Sequence, residues 1–171
     1  PPPPPPALPP PPPADQLVLR EQYLDFLVGR WFRETLFCHA DVALRRTIDP
    51  QSVKKFSIAA AVRPRSADPR PHGEGAEEFA SESGGTIAVR RPLTKAAFLH
   101  LGRIWPQAIR FPALVESASA ILRDGGDGAL AAAPADVETL AGTLFRAYGT
   151  ELLHLHVEPP RLATTLSERP A

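Results

Sequence analysis

His154 and His156 sit one residue apart near the end of the chain. On a strand that spacing puts both imidazoles on one face, roughly 7 Å apart by the rise of an extended chain. Metal sites use such pairs, but a catalytic zinc takes a third protein ligand. His39, His72 and His100 are the other histidines, and no spacing singles one out. The pair reads as the polar face of an edge strand, and no metal site is assigned. Cys38-His39 has the residue types of a thiolate–imidazole pair. Neighbours on a strand point to opposite faces, so Cys38 reads instead as a buried small thiol. Gly84-Gly85 precedes a strand rather than a helix, and the run from Asp124 to Gly128 follows a helix. Neither matches a dinucleotide or Walker loop, and the aspartates lack the spacing of a calcium loop. Glu77-Glu78 borders a polar loop and reads as solvated. No catalytic, cofactor-binding or metal-binding residue is assigned, so the chain reads as an accessory segment rather than a self-sufficient enzyme.

One cluster points to binding instead. Tyr23, Phe26, Trp31, Phe32 and Phe37 fall within fifteen residues, interleaved with Arg30 and Arg33. This density reads first as a local core. The sharper alternative is an interface, where aromatic and arginine side chains are favoured. The interface candidates are Tyr23, Phe26, Arg30, Trp31, Phe32 and Arg33.

The elements that would position these residues follow from periodicity. Asp15 is an expected N-cap for a helix with apolar residues at 19, 23, 26 and 27, closed by Gly29 in a left-handed cap. Trp31 to His39 alternates and predicts a strand. Ile48-Asp49-Pro50 predicts a turn and a short helical turn after it, and Phe56 to Val62 a second strand. Residues 63–77 read as a mobile loop. Phe79 to Arg90 predicts a hairpin around Gly84-Gly85. Three helices follow. Pro92 stands at the first position of one, Pro106 stops it, Pro112 opens the next, and Pro134 opens the third, which Gly149 caps. Leu153, Leu155 and Val157 alternate with polar residues and predict a last strand, paired with Thr86–Val89. Strand, three helices, strand is the winged-helix order.

The fold class is therefore α+β: a small helix-strand subdomain, then a winged-helix-like subdomain with a β-hairpin. The expected boundaries are a proline-rich linker at 1–14, the first subdomain with its loop at 15–77, the winged-helix-like part at 78–160 and a tail at 161–171. Eleven of the 22 prolines lie in the first thirteen residues, where only polyproline II is open to the chain. That run reads as a spacer. With no Met anywhere, the chain reads as a piece that starts in a linker.

Charge narrows the function classes. Lys plus Arg and Asp plus Glu number 19 each, and residues 93–158 hold five basic against seven acidic residues. Binding duplex DNA by counterion release needs several Lys or Arg on one face. The third winged-helix helix offers Arg146 against Asp136 and Glu138. A DNA-binding transcriptional regulator is thus the alternative, and no nucleic-acid partner is assigned. No apolar run approaches the roughly 18 residues of a membrane span, no leader is visible, and a lone cysteine suits a reducing compartment. The expected location is cytoplasmic, with no membrane partner.

The stretch Arg20-Glu21-Gln22-Tyr23-Leu24-Asp25-Phe26-Leu27, with Arg30, Phe32-Arg33, Thr35-Leu36 and Cys38-His39, resembles the opening of the methyltransferase regulatory domain. That domain follows an S-adenosylmethionine-dependent class I catalytic domain in a group of bacterial proteins, some of them protein-lysine methyltransferases. The family's C-terminal part is similar to a winged helix, and Ser167-Glu168-Arg169-Pro170 resembles its continuation. The resemblance is tight over residues 20–39 and rests on element order over 40–166. It implies a non-catalytic regulatory or substrate-positioning role, docking on a catalytic domain in cis and on a protein substrate. S-adenosylmethionine is implied only for the parent, because the family's cofactor-binding sheet and glycine-rich loop are absent from this chain.

Overall fold

In a computed structural model of the chain, residues 9–13, 15–35, 37–44, 47–82, 84–124, 132–160 and 162 are described. Most of the proline run, the glycines at 125–128 and the tail resembling the family's continuation lie outside them. The chain divides into two compact units, Pro1–Arg45 and Arg46–Ala171.

The first unit holds one helix, α1, Leu17–Val28. Its N-cap is Gln16, which makes no side-chain capping bond, so the expected Asp15 cap is not formed. Its end follows the sequence. Gly29 adopts φ 64°, ψ 34°. Its N–H donates to the Phe26 carbonyl, and the Arg30 N–H to the Asp25 carbonyl at 2.9 Å. Those two bonds satisfy carbonyls that the last turn leaves open. The expected strand over Trp31–His39 does not form: the described residues there are irregular. Extended chain needs a partner to satisfy its backbone, and none pairs with it among the described residues.

In the second unit Asp49 accepts a hydrogen bond from the Gln51 N–H at 2.9 Å, and Pro50 opens a 3₁₀ turn, Pro50–Lys55. Strand β1, Ser57–Ala59, follows and is wholly buried. Next come β2, Val62–Pro64; β3, Glu77–Ser81; and β4, Thr86–Val89. The hairpin stands where expected, with Gly84 at φ 90° in the turn. Helix α2 spans Pro92–Ile104, strand β5 Ile109–Arg110, helix α3 Phe111–Asp124, helix α4 Pro134–Gly149 and strand β6 His154–His156. Proline begins or nearly begins all three helices. Trp105, ahead of Pro106, has left the helical region at ψ 134°, as a pre-proline residue does.

The fold is α+β, with two antiparallel three-stranded sheets ordered β5-β1-β6 and β2-β3-β4. This corrects the expected pairing of Thr86–Val89 with the last strand. Strand β4 pairs only with β3, and β6 pairs with β1 in the register Ile58↔Leu155. Residues 56–62, expected as one strand, split into β1 and β2, which enter different sheets. The boundary expected after residue 77 is crossed by the β2–β3 pairing, Arg63↔Ala80. The loop between these strands is irregular but tied. Ser66 Oγ donates to Glu77 at 2.7 Å, the His72 ring meets the Leu122 carbonyl at 2.9 Å, and buried Lys95 donates to the Gly73 carbonyl.

One core serves both sheets. Phe79 and Phe98 are fully buried, their ring centroids 5.2 Å apart. Leu101, Leu114, Leu140 and Leu144 share the core. Gly149 lies within α4 rather than capping it, and the left-handed residue is Glu151, φ 58°.

Two glycines inside helices predict opposite outcomes. A Cβ on Gly102 would collide with the Val62 carbonyl oxygen, whereas one on Gly142 would meet nothing. Glycine normally costs a helix about 1 kcal/mol relative to alanine. Gly142→Ala is thus expected to raise unfolding free energy by about 0.5–1 kcal/mol, and Gly102→Ala to lower it by about 1–3 kcal/mol through overpacking, read by urea denaturation. A second expectation concerns pH. Burial, then the Arg103 charge, lowers the His100 pKa from 6.5. With the folded value below the unfolded one, the unfolded chain binds more protons between them. Stability from this site is complete above about pH 6.5 and falls as pH drops through the folded value. Denaturation between pH 5 and 7.5 should therefore show a shallower acid loss in His100→Gln than in the parent.

Candidate functional site

The aromatic–arginine segment is a structured clamp with an apolar surface. The left-handed turn at Gly29 reverses the chain onto α1. Arg30 then reaches Asp25 at 3.1 Å, Arg33 pairs with Asp25, and Arg33 also lies 4.0 Å from Glu21. Glu21 and Asp25 share a helix face by their four-residue spacing, so one guanidinium bridges two turns. Tyr23 donates its hydroxyl to the Pro9 carbonyl at 2.6 Å. Of the six interface candidates, Tyr23, Arg30 and Arg33 are thus occupied in holding this unit together, while Phe26, Trp31 and Phe32 are free. Their exposures are 88%, 92% and 93%.

That exposure weighs against the local-core reading of the cluster. No residue of α1 is buried, and no described residue of the unit reaches the buried class. A local core is therefore not formed. Cys38, expected as a buried thiol, is exposed. Glu21 and Asp25, which pair with Arg30 and Arg33, were not singled out from the sequence. Their signal was present: two acids one turn apart, followed beyond a capping glycine by two arginines.

The histidine pair belongs to the second unit. His154 and His156 lie on the edge strand β6, ring centroids 6.5 Å apart, and Trp105 stacks on His154 at 6.0 Å. Among the described residues no three His, Cys, Asp or Glu side chains gather as a metal-binding group. Helix α4 carries Asp136 in its first turn, Glu138 soon after and Arg146 in its last turn, an acidic balance for a helix that would enter a DNA groove. No described helix is long and apolar enough to cross a membrane.

No family model matches the chain. It is 43% identical over 51 residues to an uncharacterized protein, RP789, of Rickettsia prowazekii (strain Madrid E), a match covering 30% of this chain and 9% of that protein. Its fold is similar to that of PKMT2 from Rickettsia typhi in two solved structures, one of them in complex with AdoHcy. Each has a TM-score of 0.69 at 24% identity, covering 91% of this chain and 30% of the other. The chain thus spans less than a third of the length of these relatives.

Because Trp31 and Phe32 bury nothing within this chain, Trp31→Ala and Phe32→Ala are expected to change its unfolding free energy by no more than about 0.5 kcal/mol. Differential scanning calorimetry checks this; a marked drop in the midpoint would restore the local-core reading.

Proposed function

We propose that this chain is a non-catalytic regulatory or substrate-positioning region of an S-adenosylmethionine-dependent methyltransferase, and that it acts by docking through the aromatic face of the Pro1–Arg45 unit. The carrying observation is the exposure of Phe26, Trp31, Phe32 and Phe37, each 88% or more, beside a turn held by Asp25, Arg30 and Arg33. Exposed apolar patches mark interaction surfaces; these four side chains fall close together in sequence at the end of α1 and in the segment after it, and a turn already pinned loses little entropy on binding.

The occupant is the catalytic domain of the same parent protein. Supporting this, the residues at 20–39 resemble the methyltransferase regulatory domain. The fold neighbour, a protein lysine methyltransferase solved with AdoHcy, is more than three times as long as the part this chain covers. AdoHcy is what S-adenosylmethionine becomes after giving up its methyl group, so the parent's cofactor is S-adenosylmethionine and its site lies on that domain. The order α2-β5-α3-α4-β6 supports a winged-helix reading, in which β1, beside β6, would stand where a wing strand does. In this reading the winged-helix-like part is a protein-binding face for a protein substrate, in the bacterial cytoplasm. The DNA-binding alternative gains no support from α4, whose first turn bears Asp136.

The test adds this chain to the parent's isolated catalytic domain. Methylation rate or substrate choice is expected to change. Trp31→Ala and Phe32→Ala together should weaken the association by about 2 kcal/mol or more, the cost of losing an aromatic anchor, while the chain stays folded. Unchanged methylation in the presence of saturating chain would sink the proposal.

A further inference from the structure

Helix α2 begins against the usual electrostatic rule. A helix N-terminus carries partial positive charge and favours acids in its first turn. Here the first turn has no acid, no side chain caps it, and Arg90 and Arg91 immediately precede it. These arginines line a cleft of about 250 Å³ together with Ala88, Val89, Thr94, Thr139, Thr143 and Arg146. Three elements meet there: the end of β4, the first turn of α2 and the outer stripe of α4.

The donors around this cleft are unevenly used. Thr139 and Thr143 return their hydroxyls to carbonyls of α4 at 2.8 Å each, and Arg146 donates to Thr143 Oγ1 at 3.3 Å. Arg91 stands 3.9 Å from Asp136, a long pair with both side chains solvated. Thr94 differs. It is 1% exposed, and its Oγ1 has no hydrogen-bond partner. A buried hydroxyl left unpaired costs on the order of 1–3 kcal/mol. The N–H groups of Leu93 and Thr94 also lie in the first turn, where no intrahelical acceptor exists.

We propose that this cleft binds a tetrahedral oxyanion, inorganic phosphate or a phosphate monoester. Thr94 Oγ1 and the first-turn amides of α2 hold it from one side, and Arg90, Arg91 and Arg146 neutralise it from the others. Donors from three directions and up to three positive charges suit a dianion with several acceptor oxygens better than a flat monoanionic carboxylate. A bound anion supplies the acceptor that Thr94 lacks and the negative charge that the helix end lacks. The site lies within the Arg46–Ala171 unit, so it stands or falls independently of the docking face.

The test is isothermal titration of the whole chain with inorganic phosphate, O-phosphoserine, acetate and chloride at matched ionic strength. One phosphate or one phosphoserine per chain is expected. Acetate and chloride should bind roughly tenfold more weakly or worse, as expected from losing a charge-assisted bond. The tighter of phosphate and phosphoserine identifies the free ion or the ester, and either supports the site. Arg146→Gln and Thr94→Val should each weaken phosphate by roughly tenfold. The ligand-free Tm of Thr94→Val should hold or rise, because it removes an unpaired hydroxyl. Phosphate binding no tighter than acetate, or equal binding in both variants, overturns the proposal. So does a ligand-free Tm that falls in Thr94→Val, which would make Thr94 a packing residue.

Discussion

The second unit is organised by the close approach of α2 to the sheet β2-β3-β4. Val62 presents a backbone carbonyl to the helix at Gly102, a spacing that only a residue without a Cβ permits. That approach brings Phe98 onto Phe79 and leaves α2 buried at every position from Leu93 to Leu99. A helix enclosed on this scale cannot keep a solvated polar face, so its polar residues must find partners inside. Buried Lys95 does so by donating to the Gly73 carbonyl, which anchors the loop between β2 and β3. Thr94 does not, and its unpaired hydroxyl is the residue of the same enclosure.

Enclosure of α2 also explains why β1 and β2 diverge. The chain from Ser57 to Val62 is buried at all positions but one, so either face could have packed inward. Breaking at Ala60-Ala61 lets β1 join β5 and β6 while β2 joins the sheet with β3 and β4 that packs on α2. Strand β1 is then the central strand between two short partners, and its position is held by burial more than by the few ladder bonds that three residues can make.

These relations set what could be read from the residues alone. Helices α2, α3 and α4 were legible because their apolar stripes are local and prolines mark their starts. The hairpin at Gly84 and the cap at Gly29 were legible because each needs a backbone conformation that glycine favours. Pairing of β6 with β1 was not, since a two-faced apolar strand carries no signal of which distant strand it will join. Trp31–His39 was misread for a related reason: alternation describes a strand only when a partner exists, and the same pattern arises in an irregular segment that exposes its aromatics. The aromatic–arginine cluster stood out by residue type, but which of its members would pair within the unit did not. Which arginines would be spent on Asp25 depends on the reversal at Gly29. The cleft at Thr94 was unreadable because its donors come from positions separated by some fifty residues. Its one local trace is Arg90-Arg91 at a helix start.

The two units therefore differ in what stabilises them. The Arg46–Ala171 unit has a contiguous apolar core, which is the dominant favourable term in folding. Pro1–Arg45 has none among its described residues, only a capped helix, a tyrosine bond and a cluster of solvated ion pairs. Such pairs contribute about 0–1 kcal/mol each, and a twelve-residue helix is marginal alone in water. A segment held this weakly would gain stability by burying Phe26, Trp31, Phe32 and Phe37 elsewhere. Under the proposed docking, the clamp of Glu21, Asp25, Arg30 and Arg33 would act as preorganisation. It orients the turn that carries two of those aromatics, so that burial on a partner need not also supply the cost of closing the turn.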